Sequence, residues 1–213
     1  MSRLSPRGRA RKTLERLDPL YDGMTTGLSF ESPEQLLFAT ILSAQCTDER
    51  VNMVTPELFA RYPRVADLAQ ADRAEVEAII HSCGFFRNKA RNIQAAAIEL
   101  EQRFDGRVPA TMTELVTLPG VARKTANVVI AHAFGRNEGI AVDTHVHRLA
   151  RRLGLTVEDD PVKIERALMQ LVPRRHWGRL SDVLIWHGRR VCDARKPQCG
   201  RCVLADICPS AAV

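Results

Sequence analysis

Helix-start signals recur along this sequence. Each is followed by apolar residues three and four apart, and almost nothing alternates with the period of a strand. Ser32-Pro33-Glu34-Gln35 reads as a capping box with proline at the first helical position, ahead of Leu36, Leu37 and Ile41. Asp72-Arg73-Ala74-Glu75 repeats the signal before Val76, Ile79 and Ile80, and Gly84 is expected to stop that helix. Ile93, Ala97, Leu100 and Phe104 share a face of a helix that ends before Gly106, and Thr111 to Glu114 cap the next. Asp160-Pro161 opens a helix bearing Ile164, Leu168 and Leu171, while Trp177, Leu180, Leu184 and His187 share a face of the last long one. Connections are short, with no low-complexity linker and no internal repeat. The pattern predicts an all-α fold. Within the arginine-rich residues 3–16 and just beyond, Leu14, Leu17 and Tyr21 share a face, which favours a short packed helix over a frayed basic tail.

The 213 residues are 45% hydrophobic and 26% charged, enough apolar surface for one ordinary domain or two small lobes. No stretch approaches the ~18 apolar residues of a membrane helix. The basic N-terminus lacks the apolar segment of a secretory signal, so a mature cytoplasmic protein is expected, without a membrane partner. A net charge of +6 and a pI near 9.3 point to a polyanionic partner. Only five of the 31 basic residues are lysine, among them Lys124 and Lys196. Arginine suits bidentate phosphate contacts, and its excess makes each lysine worth a closer look.

Four of the six cysteines crowd into Cys192-x6-Cys199-x2-Cys202-x5-Cys208, whereas Cys46 and Cys83 stand alone in apolar surroundings. Four thiolates within 17 residues can wrap one inorganic centre, zinc or an iron–sulfur cluster. Structural zinc usually draws two close pairs. One close pair with two outliers suits a cubane, in which each cysteine must reach a different iron.

Residues 111–134 read as two helices joined by a tight turn, Leu118-Pro119-Gly120-Val121-Ala122. In a helix–hairpin–helix the turn amides and the start of the second helix converge on a phosphate. The same stretch also fits an ordinary αα-hairpin. Lys124 stands at that helix start, where the dipole and partial burial disfavour an ammonium and favour the neutral, nucleophilic amine. A phosphate contact is its rival role. Asp143 opens a further helix, for which capping alone is a sufficient explanation. Residues 124–134 rise ~16 Å as a helix, and the eight residues that follow span ~26 Å when extended. The chain can therefore return Asp143 to Lys124. His145 and His147 suggest a metal site beside Asp143, but helical spacing turns them to different faces.

LPGVARKTANVV, then AVDTHVHR with the aspartate nineteen residues after the lysine, then C-x6-C-x2-C-x5-C, resemble the endonuclease III family of DNA glycosylases. SAQCTD at 43–48 and CGFFRNKA at 83–90 are similar to the family's other signature stretches. The resemblance implies a six-helix lobe over residues 26–136 containing the helix–hairpin–helix. A second, discontinuous lobe of residues 1–25 plus 137–213 would hold a structural [4Fe-4S] cluster on Cys192, Cys199, Cys202 and Cys208. It also implies a monomer acting on damaged double-stranded DNA, excising oxidised pyrimidines and cleaving the strand at the resulting abasic site.

By the same resemblance Lys124 matches the nucleophilic lysine and Asp143 the essential aspartate. Gln45 matches the residue that fills the gap left by the extruded nucleotide, and Phe85 the apolar wedge in the base stack. Phe85 also suits a core position, since it follows a glycine among apolar neighbours. Gly120, Val121 and Ala122 of the hairpin are expected to hold phosphate, as are Arg195 and Lys196 of the cysteine loop. Ala122 stands where the family carries a second glycine, which implies a shifted or weaker grip. Phe85 is larger than the usual leucine, which bears on the opposite bases tolerated. Two rival functions remain: a monofunctional glycosylase, against which Lys124 argues, and a non-catalytic iron–sulfur DNA-binding protein, which would need neither Lys124 nor Asp143.

Overall fold

A computed structural model of the chain describes residues 4–212, so Arg3 of the N-terminal basic segment lies outside the described residues. Among them the secondary structure is entirely helical. The chain divides into two compact units, Thr26–Arg136 and the discontinuous Met1–Thr25 with Asn137–Val213.

The unit Thr26–Arg136 contains α2 (Pro33–Leu42), α3 (Asp48–Arg61), α4 (Val65–Ala69), α5 (Arg73–Ile79), α6 (Phe86–Phe104), the single turn α7 (Met112–Leu115) and α8 (Arg123–Phe134). Six helices of five residues or more and one extra turn thus make up this unit. α2 is buried over most of its length: Leu36, Leu37, Ile41 and Leu42 pack with Leu58, Ile80, Ile93, Leu100, Leu115 and Ile130 into one core. Ser32 caps α2 by accepting from the Gln35 N–H, while the Gln35 side chain accepts from the N–H of Glu31 rather than of Ser32. Asp72 caps α5 through the Ala74 N–H, but Glu75 leaves the box to bind Arg61 and Tyr62.

α5 does not run to Gly84. It ends at Ile79, because Ile80 turns out of helical geometry to bury its side chain completely, and a short turn bonds Cys83 N–H back to Ile80. α3, opened by Thr47 with Asp48 and Glu49 in its first turn, tolerates Pro56 on its exposed side. There the carbonyl that loses its helical partner can meet water.

The other unit is built from α1 (Pro6–Leu17), α9 (Thr144–Arg152), α10 (Pro161–Leu171) and α11 (Trp177–Arg190). Its core joins Ala10 and Leu17 to Val146, Leu149, Ile164, Leu168, Leu180 and Leu184. α1 starts at a Ser5 cap with Pro6 at its first position. Tyr21 is buried as the shared face requires, but it sits in a 3₁₀ turn, Pro19–Tyr21, past the end of α1. Arg179 holds that turn by donating to the Met24 and Tyr21 carbonyls and pairing with Asp18. Arg16 pairs with Asp206 and donates to the Val203 carbonyl, so α1 anchors the C-terminal cysteine segment.

Leu100 is fully buried at the centre of the first core. Leu100→Ala is expected to cost about 2–5 kcal/mol, read as a lower denaturation midpoint at unchanged slope.

Candidate nucleic-acid interface and iron–sulfur site

In the unit Thr26–Arg136 three of the singled-out stretches converge on the junction of α2, α6 and α8. Pro119 and Gly120 form the turn between α7 and α8, closed by Val121 N–H donating to the Leu118 carbonyl. Gly120 has φ +77°, and a Cβ there would lie 2.9 Å from Asn92 Cβ and 3.2 Å from Ile41 Cγ2. Only glycine fits that approach of the hairpin to α2 and α6. Val121 is buried and holds the turn down, whereas Ala122 is exposed at the N-cap of α8. α8 begins without a side-chain cap and without an acidic residue in its first turn. The positive end of a helix favours an anion. Lys124, half-buried, is the second residue of this helix.

Gln45 and Phe85 occupy the segments that end α2 and begin α6. Both are exposed, and both adopt left-handed backbone conformations, φ +53° and +57°, that non-glycine residues rarely take. The two segments touch: a Cβ on Gly84 would lie 4.0 Å from the Gln45 carbonyl oxygen. Phe85 is 69% exposed, which rules out the core role its neighbours suggested. Two exposed non-glycine residues in left-handed geometry, on neighbouring segments, are a feature no propensity scale signals. Such strain is characteristically kept where function requires it.

Beneath them lies a group the sequence did not bring together. The Cys83 thiol is fully buried and hydrogen-bonded with Cys46, and burial pushes it up to about 11. The Lys89 amine, also buried, is held below its usual range by desolvation.

In the second unit Asp143 is the N-cap of α9. Its Oδ1 accepts from the His145 and Val146 N–H groups, both at 2.8 Å. His145 lies against Gly188 of α11, where burial lowers its pKa, and shares a hydrogen bond with Arg148. His147 turns instead to the Asp159 carbonyl. The two rings therefore serve separate contacts.

Cys192, Cys199, Cys202 and Cys208 line one cavity of about 160 Å³, closed by Leu149, Leu153 and Leu204. Among the described residues no three His, Cys, Asp or Glu side chains are grouped to hold a single metal ion. Four cysteines around a common space suit a polynuclear centre, in which each thiolate reaches a different iron. Burial raises the Cys202 and Cys208 thiols, a cost that coordination of the thiolates offsets. Arg152 braces the loop, donating to the Cys192 sulfur at 3.3 Å and to the Asp193 and Ala194 carbonyls at 2.7 Å. The Asp193 carboxylate accepts from the Arg195 and Lys196 N–H groups, which lowers its pKa. That turn leaves both basic side chains exposed.

The sequence pattern of the HhH-GPD superfamily of base excision DNA repair proteins matches residues 38–174, and that of the iron-sulfur binding domain of endonuclease III matches residues 192–208. Endonuclease III of Synechocystis sp. is 60% identical over 207 residues, covering 97% of this chain and 94% of its own length. The chain belongs to the endonuclease III family. Escherichia coli endonuclease III is 40% identical over 184 residues, covering 86% of this chain and 87% of its own. The solved structure of a trapped endonuclease III–DNA covalent intermediate superposes with a TM-score of 0.92 at 40% identity, covering 98% of this chain and 97% of that one. A non-covalent endonuclease III–DNA complex superposes equally well. A thermostable thymine-DNA glycosylase, at 20% identity and a TM-score of 0.85, shares the fold. As a member of this family the chain is a base-excision DNA glycosylase and abasic-site lyase that binds DNA and carries a [4Fe-4S] cluster. No helix among the described residues is long and apolar enough to cross a membrane.

The geometry separates two roles for Asp143. Asp143→Ala removes the cap and is expected to cost about 1 kcal/mol of stability. Asp143→Asn keeps a capping oxygen and should melt within a degree or two of the parent. An equal loss in both variants would show that the charge itself, not the cap, stabilises α9.

Proposed function

We propose that this enzyme excises oxidised pyrimidines from damaged double-stranded DNA, with Lys124 as nucleophile and Asp143 as its acidic partner. The observation that carries the reading is the placement of a half-buried lysine at the start of an uncapped helix, directly behind the Gly120 turn. Phosphate held at the turn by the amides of Gly120 and Ala122 would fix the DNA backbone beside the amine, while the Val121 N–H, bonded to the Leu118 carbonyl, keeps the turn closed. The exposed, strained pair Gln45 and Phe85 suits the duplex side of the same task. Phe85 wedges into the stack while Gln45 fills the gap left by the target nucleotide. Extrusion is required because the sugar carbon is shielded in the stacked duplex.

The chemistry follows from an amine at that carbon. Lys124 Nζ attacks C1′ and the base departs, with Asp143 stabilising positive charge that develops on the sugar. The aminal at C1′ loses its N–H proton and the C1′–O4′ bond breaks, opening the sugar to an imine. The imine acidifies the C2′ protons, and loss of one expels the 3′-phosphate by β-elimination. The covalent DNA intermediate trapped with the 40%-identical relative supports a route through a protein–DNA bond.

Cys192, Cys199, Cys202 and Cys208 are the proposed ligands of the cluster. When bound it supplies a rigid cross-link for a segment with only Leu204 fully buried. Arg195 and Lys196 at its rim reach toward phosphate. The enzyme acts as a monomer in the cytoplasm, at the nucleoid.

Lys124→Gln tests the reading. The variant should keep its fold and most DNA binding but lose nicking of abasic duplex by several orders of magnitude, the scale of a principal catalytic group. Asp143→Asn should lose base removal while still cleaving preformed abasic sites to a measurable extent. Persistent nicking by Lys124→Gln at saturating DNA would reduce Lys124 to a phosphate contact.

A further inference from the structure

One buried chain of polar contacts ends on a cysteine sulfur and is not used by the glycosylase chemistry. The Tyr21 hydroxyl lies 3.0 Å from His187 Nδ1, and His187 Nε2 lies 3.3 Å from the Cys202 Sγ. The two rings meet edge to face with centroids 6.1 Å apart. Both side chains are only 2% exposed, so water cannot replace either contact. His187 projects from the last turns of α11, one helical turn before the chain reaches Cys192, and Tyr21 comes from the 3₁₀ turn after α1. Cys202 also accepts from the Leu204 backbone N–H at 3.4 Å.

The direction of these bonds is fixed by chemistry. A thiolate that ligates iron has no proton to give, so at this distance the imidazole must donate through Nε2–H. That holds whatever else the ring carries. With Nε2 protonated, Nδ1 is left to accept from the Tyr21 hydroxyl, which polarises the ring and strengthens the bond to sulfur. A donor aimed at a ligand sulfur stabilises the more electron-rich form of an iron–sulfur centre, and more so in a dry site.

We propose that Tyr21 and His187 form a hydrogen-bond relay onto the Cys202 sulfur that raises the reduction potential of the cluster. The relay rests on the assignment of Cys202 as a ligand. It is a tuning and positioning device: His187 borders the cysteine-lined cavity and bonds Cys202, and Tyr21 acts on the sulfur only through His187. Arg152, donating to Cys192 from the opposite side of the loop, supplies a second such bond independent of the relay.

The test uses intact holoprotein and reads the midpoint potential of the cluster by protein-film voltammetry, alongside iron content. Tyr21→Phe removes one hydroxyl from a buried ring and should keep full iron, about four per chain. Its potential should fall relative to the parent. His187→Leu should lower the potential further, and His187→Gln, whose amide can donate to the sulfur, should restore part of the loss. A Tyr21→Phe protein with full iron and an unchanged or raised potential overturns the relay, whatever happens to the histidine variants. Cys202→Ala tests the underlying assignment separately: it should lose iron, and full iron in that variant would remove Cys202 from the ligand set and the relay with it.

Discussion

The backbone of Gly120 passes so close to Asn92 and Ile41 that no side chain fits between them, and much of the proposed nucleic-acid interface depends on that contact. A positive φ turns the chain sharply after Pro119, and α8 begins at Arg123. Lys124 then falls in the first turn, directly behind the Gly120 turn. Because the turn sits on α2 and α6, it shares a foundation with the segments carrying Gln45 and Phe85. A small backbone requirement thus coordinates three stretches of sequence, residues 43–47, 83–86 and 118–124, that are far apart along the chain.

The second unit solves a different problem. Residues 192–208 contribute one fully buried apolar side chain, Leu204, which is too little to fold a loop by burial. Arginines take over part of the work: Arg16 from α1, and Arg148 and Arg152 from α9, all donate to carbonyls, a carboxylate or sulfur in this segment. Most of those contacts are local hydrogen bonds at a partly wet surface, each worth on the order of 1 kcal/mol. A metal centre held by four thiolates is a far stronger fastening. The discontinuity of the unit follows from the same need, since α1 braces a loop nearly two hundred residues away in sequence.

Much of this organisation was legible beforehand. Helix starts at Ser32, Asp72, Asp143 and Asp160 announce themselves because a side-chain oxygen near free amides is a local interaction, readable from adjacent residues. The spacing of the four cysteines and the order of the signature stretches carried the family. Stop signals were less dependable. Gly84 looked like the end of α5, yet burial of Ile80 ended it earlier, and burial is a tertiary effect. α3 has a sound start in Thr47-Asp48-Glu49, but Pro56 inside it interrupts the helical pattern. The left-handed Gln45 and Phe85 left no trace in the sequence at all. Their conformation is imposed by surroundings, as are the pairing of Cys46 with Cys83 and the meeting of Tyr21, His187 and Cys202.

The proposed mechanism turns on which atom of the protein bonds to the sugar. Incubating the enzyme with abasic-site duplex and borohydride should reduce the imine to a stable adduct that survives denaturation. Peptide mapping of that adduct by mass spectrometry should then place the sugar remnant on Lys124 alone. A remnant on the N-terminal amine or on another lysine, with Lys124 recovered unmodified, would contradict the assignment of the nucleophile and the mechanism built on it.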